Sequence, residues 1–559
     1  MVRHRSRLER AEQLGVAQAR LSAGEPLRQV APALGVARST LRGWREAPPP
    51  EGVPEEVASA LATPAGVQWL SRLVVALHLV ITLRAAGGVR LVCECLELTG
   101  LSGLVGASYG SQQALNVALQ EALVEEAKGQ RDHLGAQMPA REVGVCVDET
   151  FDPAICLVAI EPVSNFILAE QYAADRTAAT WRQTLEQALA GLPVRVIQGT
   201  SDEAGALRHL IEKDLGAAHA SDLFHGQHEV AKGTGLPLAR QARQADAAVA
   251  QAQAQLDAER AARQAHAAQS HHRRGRPPDF AARVDAALRT LVQAEAEQAE
   301  ALARQTKARE LIRELGHLDH PYHLETGAVQ PVEAVRARFE QVWQRLSQLA
   351  EAADLPTRSR ERIAKARRLT VHWLAYLSFF FVTVQTRVEA FDLPVELEQA
   401  LYNALIPALY LQRVAARSSR AETSQRLAAL STTLLEPLRQ PSHPLQQLPL
   451  ATRQQLEVLA GDCADLFQRS SSCVEGRNGQ LSFHHHGCHR LSDRKLAALT
   501  AIHNYHSRRA EGTTAAERFF AHPHPPLFDL VLARIPQLPP ARRRRTRAPK
   551  PACLTPVAA

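Results

Sequence analysis

The spacing of hydrophobic positions changes four times along this chain, and each change marks a new kind of element. Up to residue 47 the apolar positions are sparse and helical. Val30, Leu34, Val36 and Leu41 fall where two short helices would bury them, with Gly35 at the turn between. The Pro48-Pro49-Pro50 run then reads as a linker. Residues 55–135 carry apolar helical patterns broken at Gly87-Gly88 and between Gly103 and Gly110. From Glu142 the period shortens to two: Glu142 to Asp148, Ala154 to Ile160, Asn165 to Tyr172 and Val194 to Gly199 predict four strands. Trp181, Leu185, Ala188 and Leu189 share a helical face before the fourth strand; a helix from Glu203 and a short fifth strand near Leu223-Phe224 follow it. Helical patterning fills 230–465. Within it, 237–268 and 278–316 predict two long antiparallel helices resembling a coiled coil, with an apolar stripe at Phe280, Val284, Leu288 and Leu291 and a basic tip from His271 to Pro278.

Composition narrows this picture only slightly. With 559 residues and 45% hydrophobic positions, the chain has room for several cored domains. Its net charge of +7 suits a polyanionic partner. The most apolar runs, Leu73 to Leu83 and Trp373 to Val384, fall short of the roughly 18–20 residues of a membrane span, so they predict buried core helices and no membrane partner. Eight cysteines without CxxC spacing and a charged start, Met1-Val2-Arg3-His4-Arg5, point to a reducing, cytoplasmic setting.

The stretch Leu27 to Arg45, LRQVAPALGVARSTLRGWR, resembles the helix-turn-helix heads of bacterial transposases and small repressors, although Pro32 falls mid-helix, against the pattern. In that arrangement the second helix, starting near Ala37, enters the major groove, and Arg38, Ser39, Thr40, Arg42 and Arg45 face bases or phosphates. A plain helical hairpin is the simpler alternative.

Three strands in a meander, a helix, a strand, a helix and another strand is the order of the RNase H-like fold. Asp148 ends the first strand and Asp202 follows the fourth, which are neighbours in that fold. Carboxylates gathered this way suit divalent ions that clamp a phosphodiester, because Mg²⁺ prefers hard oxygen ligands. The third candidate is Glu475 in SSSCVEGRNGQL: on a helix it shares a face with Asn478 and Ser482, and Gly479 would allow close approach to a strand or to DNA. Glu149, Asp152 and Glu203 lie beside the chosen acids and remain alternatives; Glu149 would point to the opposite face from Asp148.

These motifs are similar to those of the DDE-type transposases of bacterial insertion sequences. Asp148 in VCVDETF, Asp202 in GTSDEAGAL and Glu475 in VEGRNG match that family's three acids, and Asp222-Leu223-Phe224-His225 matches its (C/D)xxH element. The resemblance implies a multidomain α+β chain: a helix-turn-helix domain at 1–47, a helical segment at 55–135 that is a candidate second DNA-binding domain, and an RNase H-like core at 142–229 and 466–525. An all-helical insertion, 230–465, interrupts that core, and a basic Pro-rich tail follows at 526–559. It further implies Mg²⁺ (Mn²⁺ able to substitute) on Asp148, Asp202 and Glu475, a catalytic role for His225 supported by Asp222, and DNA contacts from Arg477 and Asn478. The expected reaction is cleavage of element ends and strand transfer, with terminal inverted repeats and target duplex DNA as partners, a homodimer or larger assembly, and a prokaryotic nucleoid setting. A nuclease without strand transfer and a catalytically inactive DNA-binding protein are the alternatives. The cluster His484 to His489 with Cys473 lacks a second cysteine pair, so zinc is not expected. Arg508, Arg509 and Arg518 are candidates to line a DNA path or to form a solvated face, and the run Arg542 to Arg547 is a nonspecific polyanion binder.

Overall fold

The computed structural model describes residues 5–47, 52–151, 154–268, 278–488, 491–535 and 537–541. The alternative acid Asp152, most of the basic hairpin tip, His489 and the run Arg542 to Arg547 lie outside them. Helix α1 (Arg7–Ser22) opens with a reciprocal cap: the Ser6 hydroxyl accepts from the Glu9 amide at 2.9 Å, and the Glu9 carboxylate accepts from the Ser6 amide at 2.6 Å. Helices α2 (Leu27–Ala33) and α3 (Arg38–Arg45) pack on it through Ala17, Val30, Val36 and Leu41. Gly35 takes the positive φ of +63° that the turn between them needs. Pro32 sits in the last turn of α2, where it removes one backbone hydrogen bond from a helix that ends a residue later.

Four helices follow: α4 (Glu55–Ala62), α5 (Pro64–His78), α6 (Val89–Leu98) and α7 (Tyr109–Gly135). A π turn carries α5 on to Arg84. The resulting helix, Pro64–Arg84, has the length and apolarity to cross a membrane, as does Thr357–Glu389, which the shorter runs read from the sequence did not reach. Each buries a stripe against protein neighbours, as core helices do.

The sheet holds β1 (Arg141–Thr150), β2 (Cys156–Glu161), β3 (Phe166–Tyr172), β4 (Val194–Ser201) and β5 (Ala218–Ser221), in the order β3-β2-β1-β4-β5. β1, β2 and β3 form an antiparallel meander, while β4 and β5 run parallel to β1. Helices α8 (Ala178–Leu189) and α9 (Gly205–His209) make the crossovers. The fifth strand therefore precedes Leu223-Phe224. There the Asp222 carboxylate accepts the Phe224 amide at 2.8 Å and starts a helix instead. The open edge of β3 is closed by Asn504, whose side chain accepts from the Ile167 amide and donates to the Ile167 carbonyl, both at 2.9 Å.

Helix α10 (Leu223–Ala267) runs for 45 residues without a break, so the insertion boundary expected at 229/230 falls inside a helix whose buried positions Leu223, Val230 and Leu238 lie in the insertion's core. Gly226 lets Trp373 pack closely on it: a Cβ there would lie 2.5 Å from that ring. Helix α11 (Phe280–Leu318) returns along it, the pair being held by Ala252, Leu256, Ala287 and Leu291. The remaining helices are α12 (Val332–Ala352), α13 (Thr357–Glu389), α14 (Val395–Ala400), α15 (Ile406–Arg417), α16 (Ala421–Leu435), α17 (Pro444–Gln447) and α18 (Leu450–Leu466). They share a core separate from that of the sheet. Tyr376 of α13 joins the two, donating to Gln198 of β4 at 2.8 Å and accepting from the Gln468 amide at 2.9 Å. The chain returns to the sheet with α19 (Ser472–Cys488), α20 (Asp493–Tyr505) and α21 (Ala515–Phe520). Residues 527–534, expected in the tail, form a further helix, α22 (Leu527–Arg534), because Leu527 and Val531 find apolar cover in the sheet's core.

Candidate active site

Strand alternation sends Asp148 and Glu149 of β1 to opposite sides of the sheet. Glu149 is buried on the helix-covered side, accepting from Trp181 Nε1 at 3.0 Å and Arg176 Nη1 at 3.1 Å. Glu203 meets the Ser221 hydroxyl and lies 3.8 Å from Arg208. Both alternative acids thus already have structural partners. A bulge decides where Asp148 goes. β1 and β4 pair Val143 with Val196 but Gly144 with Gln198, so Ile197 is an extra residue. The later register, Cys146 with Thr200, brings Asp148 alongside Asp202 two residues on. Without the extra residue, Asp148 would line up with Ser201, whose side chain points to the other face.

The pairing of two acids shows in their electrostatics. Burial pushes the Asp148 carboxyl up to about 6 and the Asp202 charge adds to this, against the Glu149 amide, which donates at 2.8 Å. Asp202 accepts the Ala204 amide at 2.9 Å. Asn478 donates to Asp148 at 3.2 Å. Among the described residues, no Lys or Arg lies within ion-pair distance of Asp148, Asp202 or Glu475.

Glu475 stands in the first turn of α19, half-buried, with its carboxyl raised by burial and by Asp222. The ligand atoms of Asp222, His225 and Glu475 all lie within 4.8 Å of one another. The close group is therefore not the expected set of Asp148, Asp202 and Glu475. His225 stands between the two halves: Asp222 chiefly raises its imidazole above the ordinary range, with Asp202 and Asp148 adding to the effect. The Nδ1 to Asp222 distance of 3.5 Å makes this an ion contact rather than a full hydrogen bond. Asp222 is fully buried and already committed. Besides the Phe224 amide, it accepts the Ser471 amide at 3.1 Å and the Ser471 hydroxyl at 2.6 Å. Burial alone would raise its carboxyl, but His225 and Ser471 hold it below the ordinary value. With three of about four lone-pair sites occupied, Asp222 positions α10 and α19 against each other and has little left for an ion.

Two candidates land elsewhere than expected. Arg477, expected to contact DNA, is buried, with two hydrogen bonds to Glu170 of β3 at 2.7 and 2.6 Å. Thr500 completes that carboxylate at 2.5 Å. Asn478, also expected on DNA, holds Asp148 instead. Gly479, expected to permit close packing, would carry a Cβ with nothing within 4 Å. In the histidine cluster, His484 and His485 are buried, and burial pushes the His484 imidazole down to about 4, so it is neutral. His228 stacks on Phe224 at 5.7 Å. At the amino terminus Arg38, Ser39, Thr40, Arg42 and Arg45 are all exposed along α3, with Arg42 paired to Glu46 at 2.9 Å. The sequence reading missed Ser471 and Glu170, whose only signal was a serine run and one unremarkable charge.

Residues 401–547 match a family of unknown function (DUF6399). The matched stretch contains Ser471, Glu475 and Arg477 and stops well short of Asp148 and Asp202. No curated protein matches the chain.

Proposed function

We propose that the protein is a metal-dependent DNA nuclease and strand transferase of the DDE transposase type, with an RNase H-like core and a helix-turn-helix reader. The observation that carries this reading is the side-by-side placement of Asp148 and Asp202 at the carboxyl ends of parallel β1 and β4, with no Lys or Arg ion-pair partner among the described residues. Two carboxylates held together at the cost of a raised pKa form a site that a divalent cation would relieve. The sheet order and the exposed basic face of α3 support the reading, as does the arrival of Glu475 from α19.

The donor set fits Mg²⁺ or Mn²⁺. Asp148 and Asp202 offer hard oxygens for one ion; Glu475, with His225 beside it, offers the start of a second site. When bound, such ions stabilise charge on the attacking and leaving oxygens of a phosphodiester. The chain's own residues do the rest. Asn478 orients the Asp148 carboxylate, while Asp222 and Ser471 fix α10 to α19 and so set the distance between His225 and Glu475. With Nδ1 turned to Asp222, His225 has Nε2 left to donate to a phosphate oxygen. Terminal inverted repeats and target DNA as substrates, pairing of two copies on two ends, and a nucleoid setting belong to the same proposal.

The test is cleavage of a labelled terminal-repeat duplex. Asp148→Asn, Asp202→Asn and Glu475→Gln should each lower the rate by several orders of magnitude while duplex binding survives, and the double variants should be hardly worse than the singles. Mn²⁺ should replace Mg²⁺, and Ca²⁺ should support binding without turnover. Near-normal cleavage by Glu475→Gln would place the last ligand elsewhere. If the wild-type protein binds the duplex but never cuts it, a DNA-binding protein without catalysis is what remains.

A further inference from the structure

Helix α19 has a second working face. Glu475 and Asn478 serve the acid site; Gly476, Gly479 and Phe483 turn instead toward a cleft of about 670 Å³ walled by Arg84, Arg508 and Arg518. A second cleft of about 590 Å³, holding Arg413, Arg417 and His317, reaches Ser472 at the start of the same helix. Asn165 and Arg509 line both clefts, so the two form one groove around the amino-terminal half of α19. Among the described residues, no aspartate or glutamate stands on either wall.

Several of the groove's cations are already neutralised. Arg413 is held by Asp465, while Arg508 and Arg518 lie 3.4 and 3.6 Å from Glu517 and Glu511. Arg84, Arg417 and Arg509 have no ion pair among the described residues. A groove with guanidiniums unmatched by carboxylates (Arg417 donates only to the neutral Gln468 side chain among the described residues, at 3.3 Å) selects an anion. Its floor is open, since a Cβ at Gly476 or Gly479 would meet nothing within 4 Å. Phe483 stands at its rim, 58% exposed, its ring meeting His484 edge-on at 5.9 Å and turning most of its surface outward. Clefts of several hundred Å³ admit a few nucleotides of an unpaired strand and exclude a duplex, and sequence-tolerant strand grooves combine this kind of charge with a stacking ring.

We propose that this groove holds an unpaired DNA strand beside the phosphate cut near Glu475, with phosphates on Arg84, Arg417 and Arg509 and a base stacked on Phe483. The assignment of the strand to a cutting site rests on the nuclease reading; the groove itself can be tested without any cleavage. Full-length protein in metal-free buffer is titrated into a labelled oligo(dT) of about 12 nucleotides and, separately, into a duplex of the same length, by fluorescence anisotropy at several salt concentrations. The Arg84→Ala/Arg509→Ala double variant should bind the single strand at least about tenfold more weakly, with a salt slope shallower by about 1.4, since each phosphate left without its arginine takes away about 0.7. Phe483→Ala should lose roughly severalfold. Gly479→Glu replaces a poor helix former with a good one, so the helix is kept while a carboxylate enters the groove, and strand binding should collapse. Duplex affinity should stay within about twofold throughout. Unchanged oligo(dT) affinity in the double variant or in Gly479→Glu overturns the proposal, and so does an equal loss on duplex and single strand. If the wild-type protein never cuts DNA while these binding losses appear, the nuclease reading fails and the groove stands.

Discussion

Where the helical insertion meets the returning chain, Arg469 donates to the buried Asp319 at 2.8 Å and also to the Gly316 carbonyl, and within the insertion Arg413 makes two hydrogen bonds to Asp465. At the carboxyl ends of β1 and β4, Asp148 and Asp202 are brought together, and among the described residues His225 is the cation that acts on both. The same chain thus pairs buried charge in one region and concentrates like charge in another. A buried pair broken on one side costs about 3–5 kcal/mol, so pairing is what stability requires. Like charges held at strand ends lower stability, and a protein keeps them where they have chemistry to perform. The contrast makes the acid site stand out without any bound ligand.

The largest effect should come from the junction of Arg469 with Asp319. Arg469→Met leaves Asp319 buried and unpaired, and should lower unfolding free energy by about 3–5 kcal/mol in chemical denaturation. Adding Asp319→Leu should recover most of that loss; if it does not, the backbone hydrogen bond between Arg469 and Leu223, rather than the charge pair, holds this junction. Arg477→Met should behave likewise through Glu170, at about 3 kcal/mol. A loss confined to DNA affinity, with melting unchanged, would return Arg477 to the DNA-contacting role the sequence suggested.

At the acid site the sign should reverse. The Asp148 carboxyl titrates near 6 in the folded chain, above the roughly 4 of an unfolded aspartate. The folded state therefore holds this proton more tightly. The stability it confers is full below about pH 4 and is lost as pH rises through about 6. Asp148→Asn should stabilise the protein at pH 7 by on the order of 2 kcal/mol, with the gain fading below about pH 4. Mn²⁺ or Mg²⁺ should raise the wild-type melting temperature and leave that of Asp148→Asn nearly unmoved. A destabilised Asp148→Asn at pH 7 would mean that the carboxylate is structural, and the comparison between the two regions would collapse.

The smallest change in stability should come from exposed α3. Arg38→Ala with Arg42→Ala should alter folding by less than about 0.5 kcal/mol, yet weaken specific duplex binding by roughly 1–3 kcal/mol for each base-reading arginine removed. Gel-shift titration at fixed salt measures the second quantity, and unchanged affinity would remove α3 from end recognition.

Much of this architecture could be read from local pattern. Alternation in Glu142 to Asp148 and in Val194 to Gly199 announced the strands that carry Asp148 and Asp202, because side-chain facing in a strand depends only on the count of residues. Val284 and Leu291 of the expected stripe announced the long hairpin for the equivalent helical reason, while Leu288 is exposed and Ala287 takes the buried position instead. The position of the fifth strand was lost because Ala218 to Ser221 has no β-rich signature, whereas Leu223-Phe224 does, and an Asp222 cap turned that apolar pair into a helix start.

Local pattern therefore set the elements and the candidate acids on them, since period, caps and breakers act within a few residues. How those elements meet was settled by contacts between distant parts of the chain. The extra residue at Ile197 in β4 chose the face on which Asp202 joins Asp148. Glu170, 307 positions before Arg477, claimed that arginine for the interior. Ser471 tied the start of α19 to Asp222, 249 positions earlier, and so brought Glu475 to His225. Each of these outcomes depends on which partner reaches a buried group first in space. That competition is settled by packing and desolvation across the whole chain, and no local pattern carries it.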